Sequence, residues 1–90
     1  MKILIEGEGW DTATEQAVRA ALEPLAAAGV RDVLAVRYTT PGAEAWAAWI
    51  TKRDGWSDGV DVRAEDATLA DRLPAFLDEL RRMASALGAV

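Results

Sequence analysis

The fold turns on one stretch, Val33-Leu-Ala-Val-Arg-Tyr-Thr-Thr-Pro-Gly-Ala-Glu-Ala-Trp-Ala-Ala-Trp-Ile50. Its first part, Val33 to Tyr38, is apolar and partly β-branched, which suits a buried strand. Thr40-Pro41 has the form of a helix start. Threonine is a good N-cap, and proline fits the first helical position, where its missing N–H is not needed. Ala43, Trp46, Ala47 and Ile50 follow at i, i+3, i+4 and i+7, so one helical face is apolar. A second pattern runs through the same residues. Trp46, Ala48 and Ile50 alternate, so residues 45–52 also read as a strand, hairpin-paired with 33–40 or with 59–64. The Thr-Pro start and the alanine content favour helix, and helix is the expectation.

Upstream, Ile3-Leu4-Ile5 is a short apolar run of the kind buried on both faces of a parallel sheet. Glu6-Gly7-Glu8-Gly9-Trp10 follows as a turn in which glycine permits positive φ or a close backbone approach. Thr12 and Glu15 have capping-box spacing, and Val18, Ala21, Leu22 and Leu25 form the apolar stripe of a first helix. Pro24 should kink or loosen its last turn, and Gly29 is a C-terminal cap. Downstream, Asp54-Gly55 closes the second helix, and Trp56-Ser57-Asp58-Gly59 is loop. Val60-Asp61-Val62 is a third strand. A helical turn near 67–72 precedes a longer helix from Pro74 to Leu87, with Leu69, Leu73, Phe76, Leu77, Leu80, Met83 and Leu87 at helical spacing. The order β-α-β-α-β-α predicts one domain over residues 1–90, a minimal three-layer Rossmann-like α/β fold on a three-stranded parallel sheet.

Composition narrows the chemistry. Ninety residues, 51% hydrophobic, can bury one modest core, and chains this short often gain stability from a partner or a second copy. Without cysteine there is no disulfide, thiol nucleophile or thiolate metal site. Without histidine the usual general base and commonest metal ligand are missing. The formal charge of −5 argues against a duplex nucleic-acid binder and suits a partner with a basic surface. Lys52-Arg53 and Arg81-Arg82 are the only adjacent basic pairs, and they read as solvated faces. No run reaches the ~20 apolar residues of a membrane span. Met1–Glu6 meets its acid too soon for a signal peptide. These features predict a cytoplasmic protein with no membrane partner.

The run Met1-Lys-Ile-Leu-Ile5, Gly7, Trp10 and Gln16-Ala-Val-Arg-Ala-Ala-Leu-Glu-Pro-Leu25 resembles the start of SLOG-superfamily Rossmann-like proteins. These are relatives of the Lonely Guy enzymes and of DNA-processing protein A, and the likeness is greatest to a small bacterial and phage branch. Arg53-Asp54-Gly55-Trp56 and Val60-Asp61-Val62-Arg63 resemble the approach to that family's third strand, and the resemblance extends to about residue 66. At the second turn only Gly42 and Ala43 match the family's glycine-rich pattern, with Glu44 in place of aspartate. Tyr38 and Thr39 stand where the family has glycine. Glu6 and Glu8 in the first turn would repel an anion. The family's later strands do not follow before Val90. In the family's 3-2-1-4 strand order, that would make the first strand an edge and its Ile3-Leu4-Ile5 a site for pairing with another chain.

The resemblance implies a non-catalytic protein-interaction module on a reduced SLOG-like scaffold, by analogy a phage or mobile-element protein acting on a host protein. The alternative it implies is a nucleotide-binding protein or sensor. Gly7, Gly9, Thr39, Thr40, Gly42 and Glu44 would then form the floor, and the helix starting at Pro41 would donate N–H groups. No cofactor, metal site or catalytic set is implied. Glu8, Asp11 and Glu44 are the carboxylates that strand ends would bring together for a metal ion or acid–base work, but Glu44 in a first helical turn is also what the helix dipole favours. Interface candidates are Trp10, Trp49 and Trp56, because tryptophan dominates binding hot spots, together with Ile3 and Ile5 on the edge strand. Trp46 is expected in the core.

Overall fold

The computed structural model describes residues 1–64 and 69–88. The chain runs β1 (Lys2–Glu6), α1 (Thr12–Leu22), β2 (Val30–Thr40), β3 (Ala43–Lys52), β4 (Ser57–Ala64) and α2 (Leu73–Ala86), with 3₁₀ turns at Glu23–Ala28 and Leu69–Arg72. The four strands form one sheet in the order β1-β2-β3-β4. Only β1 and β2 are parallel. β2–β3 and β3–β4 are antiparallel. Two layers result, a mixed sheet and a pair of helices on one of its faces.

This corrects the expected three-layer, three-stranded parallel Rossmann-like sheet, and with it the fold that the SLOG resemblance implied. The helix expected from Pro41 is a strand. Thr40 and Ala43 pair across a two-residue turn made by Pro41 and Gly42, whose φ of 86° is the left-handed value that a glycine after proline supplies in a type II turn. The hairpin alternative therefore holds on both sides, since β3 pairs with β2 through one face of its backbone and with β4 through the other. Asp54-Gly55 lies in the turn between β3 and β4, where the Lys52 N–H donates to the Trp56 carbonyl at 2.8 Å.

The other elements lie close to where the pattern put them, except that β4 begins at Ser57, so Ser57, Asp58 and Gly59 are strand rather than loop. Asp11, one residue before the expected Thr12, caps α1: the Thr14 N–H donates to its Oδ1 at 2.7 Å. Pro24 lacks an N–H, and from Glu23 the chain tightens into 3₁₀ geometry that Gly29 ends at φ 77°. Pro74 sits in the first turn of α2, which turns Phe76, Leu80, Met83 and Ala84 inward. The expected helical turn appears at Leu69–Arg72; Ala67 and Thr68 lie outside the described residues.

The core lies between sheet and helices. Val18, Leu22 and Leu25 meet Val33, Ala35, Trp46, Ala48 and Ile50 from the sheet and Phe76 and Leu80 from α2. Trp46 is buried, stacks on Phe76 at 5.6 Å and receives the Trp10 ring edge-on at 4.8 Å. With the helices confined to one side, the opposite face of the sheet has no covering layer among the described residues.

Candidate functional site

Strand alternation and register decide what the open face carries. Leu4, Leu34, Trp49 and Gly59 stand side by side across all four strands. The neighbouring row is Glu6, Val36, Ala47 and Asp61, followed by Tyr38, Ala45 and Arg63. At the other end lie Lys2, Asp32, Thr51 and Ser57. The middle of the face is thus apolar and its two ends are charged or polar. Trp49 is 48% exposed and Leu4 45%. Lys2, Leu4, Asp32, Leu34, Trp49 and Thr51 surround an open depression of about 390 Å³. Ala45 and Ala47 share this outward parity, yet both are fully buried. At the charged end the Tyr38 hydroxyl donates to the Asp61 carboxylate at 2.9 and 3.0 Å, and Arg63 approaches the same group at 3.5 Å. Burial first, and then this hydrogen bond to a carboxylate, push the Tyr38 phenol above its ordinary pKa.

A second concavity, polar and about 460 Å³, lies where β1 hands over to α1 and β2 to β3, and is lined by Glu8, Gly9, Arg37, Tyr38, Thr39 and Glu44. Three residues of the expected ligand floor meet there: Gly9, Thr39 and Glu44. Gly7 lies against β2, where a Cβ would run into the Arg37 carbonyl oxygen. Gly42 is in the hairpin turn, with nothing near its missing side chain. Thr40 is placed by its backbone opposite Ala43. Arg37, the cation of the cavity, donates to the Gly9 carbonyl, stands 3.9 Å from Glu44 and lies 5.5 Å over the Trp46 ring. The α1 N-terminus beside it is capped by Asp11, and the Thr14 N–H holds that carboxyl below the usual aspartate value. Glu8 and Glu44 share the cavity. Among the described residues no group of three acidic, histidine or cysteine side chains is placed to hold a metal ion.

The interface candidates divide. Trp49 is on the open face. Trp56, 42% exposed, lines a groove of about 290 Å³ beside β4 and the end of α2 with Val60, Met83 and Leu87. Trp10 closes the end of the core, its indole N–H donating to the Glu6 carbonyl at 2.7 Å. Ile3 and Ile5 face the helices and are half-buried. Leu4, read from sequence as part of a doubly buried run, instead projects from the open face; Leu34 and Val36 were not singled out at all. The charges at the ends of Lys2-Ile-Leu-Ile-Glu6 are the signal that could have found them, because Lys2 and Glu6 share the parity of Leu4.

Among the described residues, no helix is long and apolar enough to cross a membrane. No family profile and no curated protein matches the chain. Among solved structures it is similar to a ribosomal subunit interface protein from Coxiella burnetii, with a TM-score of 0.68 and 14% identity over 100% of both chains. At that identity the likeness is one of fold alone.

Proposed function

We propose that this chain is a non-catalytic, cytoplasmic protein-interaction module whose open sheet face is its docking surface. The observation that carries this reading is the Leu4–Leu34–Trp49 row, an apolar band across three strands in which Leu4 and Trp49 are exposed and Leu34 is half-buried, with charged residues at both ends of the face. An apolar centre anchored by tryptophan within a polar rim has the anatomy of a protein interface. The formal charge of −5 favours a partner with a basic rim. The fold neighbour is named for an interface between ribosomal subunits. For this chain, the same charge argues for contact with a protein surface rather than with RNA phosphates. Nucleotide binding in the polar cavity has less support, since Glu8 and Glu44 line it and Arg37 is already engaged.

The test is photocrosslinking in cells from position 49, with position 81 on the exposed side of α2 as control. The captured protein is then identified and its binding reconstituted from purified components. The reading predicts capture from 49 alone, and at least a tenfold loss of affinity with Trp49→Ala. Equal capture from both positions, or an affinity that ignores Trp49→Ala, overturns it. A thermal-shift panel of nucleotides should leave the melting temperature unchanged.

A further inference from the structure

Strand order leaves β1 at the margin of the sheet, paired with β2 alone among the described residues. Sheet margins are normally protected by proline, a bulge or a charge in mid-strand. β1 has none of these. Its five residues pair in unbroken register with Asp32–Val36, and its charges stand only at its ends. The margin is also incompletely packed. Ile3 and Ile5 face the helices yet stay half-buried, whereas Val33 and Ala35 beside them on β2 are fully buried.

The strand is self-complementary when set against a reversed copy of itself. Leu4 meets Leu4 of the second copy, Lys2 meets Glu6 of the second copy, and Glu6 meets its Lys2. Ile3 and Ile5 meet reciprocally. Directly opposite residues of an antiparallel pair project to the same side. Both Lys–Glu pairs and the leucine pair therefore lie on the open face, and both isoleucine pairs lie on the helix side. Shifting the register by two residues sets Leu4 against a charged residue and breaks both Lys–Glu pairs, so one alignment is favoured. The opposite margin, β4, is a poorer candidate. It has Gly59 within the strand, and its Asp61 is engaged by Tyr38 and Arg63.

We propose that two copies of this chain join antiparallel through β1, about a two-fold axis at Leu4, into one continuous eight-stranded sheet. The two apolar rows then fuse at the leucine pair into a band from Trp49 of one copy to Trp49 of the other. This association uses the strand margin rather than the open face, and holds whether or not a partner docks on that face.

Sedimentation velocity across a concentration series tests it. The chain should dimerise, and Lys2→Glu or Glu6→Lys alone should weaken association at least tenfold, because each sets like charges opposite one another twice. An equimolar mixture of the two variants should restore the dimer, since every Glu then faces a Lys. Circular dichroism verifies that each variant is folded. The chain contains no cysteine, so Leu4→Cys should form a disulfide-linked dimer under mild oxidation while Lys2→Cys should not. A chain that stays monomeric to about 1 mM, a dimer indifferent to both charge reversals, or single variants whose mixture fails to associate overturns the proposal. If the variants do not fold, an absent Leu4→Cys crosslink overturns it by itself.

Discussion

The indole of Trp49 lies against Gly59 on the neighbouring strand, so close that a Cβ on the glycine would stand 2.7 Å from Trp49 Cδ1 and 2.9 Å from the Ala48 carbonyl oxygen. The open face owes its exposed tryptophan to this missing side chain. Gly59→Ala should destabilise the chain by about 1–3 kcal/mol, the usual cost of overpacking. It should also shift the tryptophan emission as the indole is displaced. In a Trp49→Ala background only part of that loss should return, because the Ala48 carbonyl remains in the way. Denaturant melts of the two singles and the double measure both effects.

Two glycines with similar backbone angles should respond very differently to alanine. Gly7 and Gly42 have φ values of 95° and 86°. At Gly7 a Cβ also meets the Arg37 carbonyl oxygen, whereas at Gly42 it meets open space. Gly42→Ala should cost roughly 1–2 kcal/mol, the left-handed penalty alone. Gly7→Ala should cost on the order of 3 kcal/mol or more, because strain and overlap add. Equal losses in chemical denaturation would mean that β1 and β2 are not in contact at this point.

Tyr38 is the only tyrosine, so its titration can be followed by phenolate absorbance without ambiguity. Its phenol should ionise above the ordinary tyrosine value, burial being the first cause and the Asp61 carboxylate the next. The unfolded chain gives up this proton earlier, so the stabilisation is fully present below about 10 and is lost as pH rises from there through the folded value. Asp61→Asn should bring the midpoint only part of the way down, because the burial remains.

Asp11 should make the chain sensitive to acid at the α1 N-terminus. Its carboxyl is held below the ordinary value, chiefly by the Thr14 N–H. The stabilisation it brings is therefore fully present above the unfolded value of about 4 and disappears as pH falls through the folded one. Asp11→Asn should keep the cap while flattening this acid dependence. Asp11→Ala should lower the melting temperature by several degrees at neutral pH. Thermal melts across a pH series check both.

The existence and type of β1, α1, β2, β4 and α2 were legible in the sequence, from apolar runs and helical stripes, although the α1 cap lay one residue off and the start of β4 three. β3 was not. Ala43, Trp46, Ala47 and Ile50 satisfy a helical face, while Trp46, Ala48 and Ile50 satisfy an inward strand face, and both patterns are written in the same residues. Alanine at the outward positions 45 and 47 removes the polar alternation that would have separated them. Pro41-Gly42 held the decisive signal, for a glycine after proline fits a tight turn better than the first turn of a helix. Once β3 is a strand, the donors expected from a helix at Pro41 vanish. The polar cavity then retains Gly9, Thr39 and Glu44 without the N-terminus that was to serve them. The open face stayed invisible because it depends on which strands neighbour one another, and no local period encodes that.

Connectivity also sets the order in which the chain can assemble. β2, β3 and β4 are joined by turns of a few residues, whereas Lys2 finds Asp32 only after the whole of α1 has been laid down between them. Short loops close at small entropic cost and long ones later. The three-stranded meander should therefore form first, with β1 docking onto it later. Ile5→Val should then hasten unfolding with little effect on refolding, while Ala47→Gly should slow refolding itself.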